Sequence, residues 1–362
     1  GRGNRAALLT DAGTLTYRDV QALAERWATL LAEAGVCCEQ RVLIALPDGP
    51  DFVGVLFGTL KLGAVVVMVN PGVPAAEARY FLEYTRARAV VTISATAAAF
   101  AEASRDVQPA PAMLVADDPE LAARLAAAPT GLKTFDTHRD DAAIWLFSGG
   151  TTGRPKAVVQ THGAFANTTA LYGHGVIGYG ETDVTLSVPK LYFGYATGSN
   201  LFFPFSAGAA VALYPEPATA DVVFARIRQF KPTVLVNVPA MIHKMTAHPE
   251  AASQDLKSLR VVVSAGEALP VELFERWRDT FGVELLDGLG TAEMWHIFIS
   301  NRPGEARPGT LGSVVPGFEV KVCDETGAEV APLISAPPGA ARESASVRKG
   351  RYAVLVSLLS DD

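Results

Sequence analysis

Apolar residues recur along the first ninety positions in two alternating rhythms. Between positions 16 and 34 they fall at Val20, Leu23, Ala24, Trp27, Leu30 and Leu31, the spacing of one helical face, and Gly35 follows as a C-terminal cap. Residues 41–46, aliphatic from Val42 onward, form a run short enough for a buried strand, closed by the turn Pro47-Asp48-Gly49-Pro50. A helix over 51–62, a strand over 64–69, a helix over 77–86 and a strand over 89–93 repeat the pattern. Such alternation predicts an α/β domain with a mostly parallel sheet.

Residues 94–139 are Ala- and Pro-rich and weakly patterned, and read as a linker or an edge region. A second α/β set is then expected, with strands at 143–147, 184–188, 210–214, 233–238, 260–264 and 284–287 and helices including 219–230 and 271–281. After Leu311 the chain turns strand-like at 319–323, with a turn at 324–327. The Pro/Ala/Ser-rich stretch 332–343 has no pattern that asks for structure, and 349–362 reads as one apolar strand-like segment with an acidic end.

A chain of 362 residues has room for two or three subdomains. Its net charge of −7 leaves no basic excess for a nucleic-acid partner. Apolar runs such as 64–70 and 143–147 are too short to span a bilayer, and no signal-peptide pattern opens the chain. The opening Gly1-Arg2-Gly3 lacks a Met, so the native start is expected elsewhere. Three cysteines, with Cys37 and Cys38 adjacent, suit neither a disulfide framework nor a zinc site, and point to a reducing, cytoplasmic setting.

The strongest chemical signal is Ser148-Gly149-Gly150-Thr151-Thr152-Gly153-Arg154-Pro155-Lys156, directly after an apolar strand. Three glycines let the backbone approach a polyphosphate, and three hydroxyls and a lysine supply donors to its oxygens. It is not a Walker A loop, because Pro155 precedes the lysine and Ala157 follows it. A glycine cluster taken alone is as readily a solvated turn. This one is longer and has two companions: Ser264-Ala265-Gly266-Glu267-Ala268-Leu269-Pro270 and Asp287-Gly288-Leu289-Gly290-Thr291-Ala292-Glu293.

In that order the three segments resemble the signature motifs of the acyl-adenylate-forming superfamily of acyl-CoA synthetases, non-ribosomal-peptide adenylation domains and luciferases. Asn70-Pro71-Gly72-Val73-Pro74 resembles a turn of its N-terminal subdomain. The resemblance implies two stacked flavodoxin-like α/β subdomains, at 1–140 and 141–310, with the start of a small β-barrel at 311–362. The second would carry the phosphate loop and the acid pocket. It also implies that Ser148, Gly149, Gly150, Thr152, Gly153 and Lys156 hold the phosphates of ATP, and that Thr151 and Glu293 hold Mg²⁺. Gly266, Glu267, Ala268, Asp287, Gly288, Leu289 and Thr291 would surround the nucleotide. Two positions depart from the family pattern. Its adenine-facing aromatic falls on Leu289, and its α-phosphate Thr falls on Ala292, with Thr291 one place earlier. A one-residue shift reverses side-chain direction in an extended segment.

Within the superfamily, Lys190-Leu191-Tyr192-Phe193-Gly194-Tyr195-Ala196-Thr197-Gly198 and Trp295-His296-Ile297-Phe298-Ile299-Ser300-Asn301 are most similar to benzoate-CoA ligases. That resemblance implies an acid pocket of Gly194, Tyr195, Phe203, Ala265, Gly290, His296 and Ile297. Three very small residues would leave a flat slot, and Tyr195, Phe203 and Ile297 its apolar walls. Each aromatic alone is as well explained by core packing. Amino-acid-activating relatives carry an Asp where this chain has Gly194, so an α-amino-acid substrate is disfavoured. Lys190 lies beside the pocket in sequence and is either a guide for the carboxylate or a solvated lysine.

The expected activity is ATP-dependent conversion of benzoate, or an amino- or hydroxybenzoate such as anthranilate, to aryl-AMP and then to a coenzyme A thioester. The alternatives are an adenylation module that loads a carrier protein and a non-catalytic binding homologue. No nucleic acid or membrane partner is expected, and the oligomeric state stays open between a monomer and a homodimer. The family's ribose-binding Asp, hinge and C-terminal lid domain find no match after Val330. The chain is therefore expected to bind an aryl acid or its adenylate and to turn over poorly.

Overall fold

The computed structural model describes residues 1–148 and 153–323, with the backbone alone for 322, 323 and the strand at 353–358. The predicted turn at 324–327, the stretch 332–343 and the acidic end of the tail lie outside the described residues. The chain divides into two compact units. The first comprises Gly1–Phe165, Lys190–Thr197 and Leu213–Glu216, and the second Ala166–Pro189, Gly198–Ala212 and Pro217–Asp362.

The first unit opens with the antiparallel pair β1 (Ala6–Thr10) and β2 (Gly13–Thr16), followed by α1 (Tyr17–Glu33). Thr16 and Asp19 start α1 with a capping box: the Thr16 hydroxyl accepts the Asp19 N–H at 3.2 Å, and the Asp19 carboxylate accepts the Thr16 N–H at 2.8 Å. Then come β3 (Arg41–Ile44), α2 (Pro50–Lys61), β4 (Val65–Met68), α3 (Ala75–Thr85), β5 (Ala89–Thr92), α4 (Ser94–Ser104), β6 (Ala112–Val115), α5 (Pro119–Ala127), β7 (Ala142–Ser148) and β8 (Lys156–Thr161). Helices α1 and α2 approach closely because Gly54 and Gly58 lack side chains. A Cβ on Gly54 would lie 2.6 Å from the Trp27 ring, and one on Gly58 2.8 Å from the Ala24 carbonyl oxygen.

These strands form a sheet in the order β6-β5-β3-β4-β7-β8, parallel except for β8. Its core joins Leu43, Val67 and Val90 of the sheet to Phe81 and Leu82 of α3 and Phe100 of α4. Two sequence expectations need correction. The strand assigned to the second α/β set, β7, completes this first sheet beside β4. The region read as a linker or an edge holds two helices and the edge strand β6, so the edge alternative stands and the linker does not. Helix α4 is half alanine and buries only Phe100 and Ala103, so high intrinsic propensity stands in for an amphipathic pattern. Helix α5 starts where Asp118 accepts the N–H groups of Glu120 and Leu121 ahead of Pro119, and buries only Leu121.

Helix α6 (His162–Thr168) begins in the first unit and ends in the second, where π-helical turns over Thr169–Ile177 continue it to β9 (Val184–Ser187). A short α7 (Gly194–Thr197, part of the first unit) and π-helical Gly198–Phe202 lead to α8 (Phe203–Ala207) and β10 (Ala210–Ala212). Next are α9 (Ala220–Phe230), β11 (Val234–Asn237), α10 (Pro239–Thr246), β12 (Val261–Ser264), α11 (Val271–Phe281), β13 (Leu285–Gly290), β14 (Ile297–Ser300) and β15 (Ser313–Val314). Within this unit the strands order as β15-β14-β13-β12-β11-β9-β10.

The five parallel members, counted along the chain, lie 2-1-3-4-5, which is the flavodoxin order. The first unit shares the 2-1-3-4 run but carries its fifth parallel strand, β7, at the opposite end of that run, beside β4, with the antiparallel β8 on the edge. The small barrel expected after Leu311 is represented among the described residues by β15 and a two-stranded antiparallel ladder of β16 (Phe318–Cys323) and β17 (Ala353–Leu358). Among the described residues no helix is long and apolar enough to cross a membrane.

Candidate nucleotide and acid site

Strands β7 and β8 frame the glycine-rich segment as a hairpin, and Ser148 and Lys156 are its last paired residues. Gly149, Gly150, Thr151 and Thr152 lie outside the described residues. On the outgoing arm Gly153 adopts φ +101°, a left-handed conformation that L side chains rarely adopt. The Lys156 side chain is exposed.

In the second unit the parallel strands end together in polar side chains. Asn237, Ser264 and Asp287 lie in register across β11, β12 and the parallel part of β13, Ser187 closes β9 opposite Val236, and all four are buried. The crevice outside such carboxyl ends is where open α/β sheets bind ligands. Past β12, Ala265 is buried, Gly266 turns with φ +95°, and Glu267 and Ala268 are exposed. Burial pushes the Asp287 carboxyl up to about 7, against the opposing effect of the Ser264 hydroxyl and the Gly288 and Leu269 N–H groups.

The antiparallel pairing of β13 with β14 leaves no room for a side chain at Gly290 and little at Gly288. A Cβ on Gly290 would fall 2.5 Å from the His296 carbonyl oxygen, and one on Gly288 3.0 Å from that of Ile299. Leu289 is half-buried, and Thr291 and Glu293 are exposed. The loop between these strands is a tight turn: the Thr291 hydroxyl accepts the Met294 N–H at 3.3 Å, and the Ala292 carbonyl accepts the Trp295 N–H at 3.2 Å. Trp295 is buried in a left-handed conformation (φ 67°), an uncommon state for a bulky residue held by its surroundings.

That turn delivers His296 into an aromatic enclosure. Its Nε2 lies 3.1 Å from the Ser199 hydroxyl, with the Phe203 ring at 4.7 Å in an edge arrangement and the Tyr172 ring at 5.2 Å. His296 is 3% exposed and Phe203 fully buried. Gly198 and Gly173 make room: a Cβ on Gly198 would sit 2.5 Å from His296 Cδ2, and one on Gly173 2.9 Å from Phe203 Cγ. Ile297, Gly290, His296 and Phe203 thus belong to one connected region of the second unit, with Ala265 directly after β12 of the same sheet.

Gly194 and Tyr195 belong to the first unit, on α7, where a Cβ on Gly194 would lie 2.9 Å from Leu146 Cδ1. Lys190 is anchored: its Nζ donates to the Tyr214 carbonyl at 2.8 Å and lies 3.5 Å from the centre of the Tyr214 ring. Beside it Asp48 is buried and accepts the Leu191 N–H at 2.8 Å, and burial raises its carboxyl to about 6.

Tyr172 and Ser199 belong to no sequence motif, and Gly198 ends the Lys190–Gly198 segment without an assigned role. The one signal, Ser199 directly after that segment, acquires meaning only when β14 brings His296 alongside.

The family profile of AMP-binding enzymes matches residues 1–339. The chain is 36% identical over 334 residues to a benzoate–CoA ligase of Thauera aromatica, covering 91% of this chain and 63% of that protein. An anthranilate CoA ligase, AuaEII, solved in complex with anthranoyl-AMP superposes with a TM-score of 0.88 at 34% identity, over 91% of this chain and 64% of that one. A benzoate CoA ligase from Burkholderia xenovorans LB400 gives 0.86 at 36% identity, over 92% and 67%. With the glycine-rich hairpin, the flavodoxin-ordered sheet and this agreement, the chain belongs to the AMP-binding enzyme family.

Proposed function

We propose that the chain binds ATP and an aromatic carboxylic acid and joins them as an aryl-adenylate, the first half of an AMP-forming aryl-CoA ligation. The observation that carries the reading is the His296 enclosure. Ser199, Phe203, Tyr172 and Gly198 fix one imidazole among aromatic and small residues, in a family whose similar members here are named for benzoate and anthranilate. Small flat acids fit walls of this kind, and flexible acyl chains gain less from them.

In the reaction a carboxylate oxygen attacks the α-phosphorus of ATP, the bond to the leaving pyrophosphate breaks, and an acyl-adenylate forms. The thiolate of coenzyme A then displaces AMP at the acyl carbon. Both first-step reactants are anionic, so the work is positioning and charge stabilisation. Lys156 and the amides of the glycine-rich segment hold the β- and γ-phosphates, and the loops of Gly266–Ala268 and Asp287–Thr291 frame the nucleoside. Phe203, Ala265, Gly290, His296 and Ile297 of the second unit receive the acid.

The exposed Glu293 carboxylate suits a Mg²⁺ bound chiefly by nucleotide phosphates, with Thr151 as its second protein ligand. Such an ion neutralises phosphate charge. A cytoplasmic setting goes with this reading, and the adjacent Cys37 and Cys38 are free thiols.

A second reading, a binding homologue that does not turn over, is favoured by one observation. Ala292 replaces the family's phosphate-binding Thr, and the Thr291 hydroxyl is engaged by the Met294 N–H. Pyrophosphate exchange into ATP, driven in turn by benzoate, amino- and hydroxybenzoates and fatty acids, tests the proposal. Exchange with the aryl acids supports it, exchange with fatty acids alone overturns it, and tight aryl-adenylate binding without exchange selects the second reading.

A further inference from the structure

Helix α3 carries Tyr80 and Tyr84 one turn apart, on the face that meets Phe147 near the end of β7. The ring centres of Phe81 and Tyr84 lie 4.5 and 5.6 Å from that of Phe147. The same face holds the outgoing arm of the glycine-rich segment. The Tyr80 hydroxyl donates to the Pro155 carbonyl at 2.6 Å, and the Arg154 guanidinium lies 5.3 Å from the centre of the Tyr80 ring. The Ala157 N–H donates to the Tyr84 hydroxyl at 3.4 Å. These attachments bracket Lys156, whose side chain stays exposed. The β7–β8 ladder ends at the Ser148–Lys156 pair, so the carbonyl of Pro155 lies beyond the last cross-strand pair, and Tyr80 supplies its donor.

We propose that Tyr80 is a positioning residue for nucleotide binding: it fixes the Arg154–Ala157 arm before ATP arrives, so that the Lys156 amine is already placed for the phosphates. An arm that had to be ordered on binding would charge its lost backbone freedom to the affinity for ATP. The proposal rests on the adenylate-forming reading, because Lys156 has no stated task without a polyphosphate. Tyr80 itself touches neither nucleotide nor acid in this scheme. Its effect therefore belongs on the ATP dependence and not on the acid.

Trypsin reads the arm directly. Lys156–Ala157 is a cleavable bond, whereas Arg154 is protected by the following proline. The test compares the 362-residue chain with its Tyr80→Phe variant, which keeps the ring under Arg154 and removes only the hydroxyl. Initial cleavage after Lys156 is expected to rise about three- to ten-fold, the value of one hydrogen bond, with cleavage at other lysines and arginines unchanged. The MgATP concentration giving half-protection of that bond is expected to rise by a similar factor, while affinity for benzoate stays within about two-fold. Cleavage after Lys156 at the wild-type rate would overturn the proposal alone. Uniform acceleration at every site would also overturn it, by marking a general structural role. Failure of MgATP to protect the wild-type bond would sink the nucleotide reading, and the proposal with it.

Discussion

The Ser199 hydroxyl stands 3.1 Å from His296 Nε2, one residue beyond Gly198, where a methyl group would fall 2.5 Å from the same imidazole. Orientation and clearance for His296 therefore come from two consecutive positions of one π-helical segment. A buried imidazole whose ring is fixed in this way serves as a shaped wall with a defined polar edge. The Ser199→Ala variant removes the hydroxyl and leaves a buried nitrogen short of that partner. It should lose about 1–2 kcal/mol of stability in urea unfolding, and several-fold affinity for an aryl-adenylate analogue. Wild-type affinity in a folded Ser199→Ala protein would show that the ring is held by its aromatic neighbours alone.

Gly198→Ala should act on the same ring by force. Its methyl meets His296 on one side and Phe203 Cζ, at 2.9 Å, on the other. Overpacking of this kind costs about 1–3 kcal/mol. Because the displaced groups are the proposed acid walls, calorimetry should show a larger loss of aryl-acid affinity than Ser199→Ala produces.

Gly58→Ala separates fold from site. The new methyl would sit 2.8 Å from the Ala24 carbonyl oxygen and 2.9 Å from the Ala28 amide nitrogen, backbone atoms of α1 that cannot swing aside. Alanine's helix preference of about 0.8–1 kcal/mol over glycine is outweighed, and net destabilisation of about 1–2 kcal/mol is expected in urea unfolding. Aryl-acid affinity of the folded variant should be unchanged.

Asp287 sets a pH dependence. Its folded-state pKa of about 7 lies above the ordinary carboxylate value, so the native protein retains a proton that the unfolded chain releases. Stability from this group is therefore greatest at acid pH. It falls as the pH rises from about 4 to about 7, by at most about 1.4 kcal/mol per unit. Asp48, raised to about 6, adds the same sign over a narrower window. Thermal midpoints between pH 5 and 8 should slope less for Asp287→Asn than for the wild type. Parallel slopes would remove Asp287 from the explanation.

Where hydrophobic rhythm is imposed by a sheet, the sequence was legible. Helix α1 announced itself through its apolar face, and the valine runs of β4, β11 and β12 could be read because parallel strands are buried on both faces. Helices α4 and α5 were missed because each buries so few residues that no period emerges. Nor does any local pattern say which sheet a strand joins. The placement of β7 depends on pairing with β4, 78 positions earlier (Val66 beside Ile144), and was misread for that reason. At the site, motifs pointed to Phe203, Gly290, His296 and Ile297. Ser199, Tyr172 and the Tyr80 contact arise from distant segments meeting, and the left-handed backbone of Trp295 has no sequence signature at all.

The central claim, that this chain is built to hold an aryl-adenylate, is tested most directly by calorimetry with a non-hydrolysable benzoyl-adenylate analogue, set against a long-chain acyl analogue and a His296→Ala variant. The expected result is one-to-one binding of the benzoyl compound. The His296→Ala variant, still folded, should bind it at least about ten-fold more weakly, a difference of about 1.4 kcal/mol, and the long-chain analogue should bind poorly. Equal or tighter binding of the long-chain analogue, or affinity for the benzoyl compound indifferent to His296, would contradict the account.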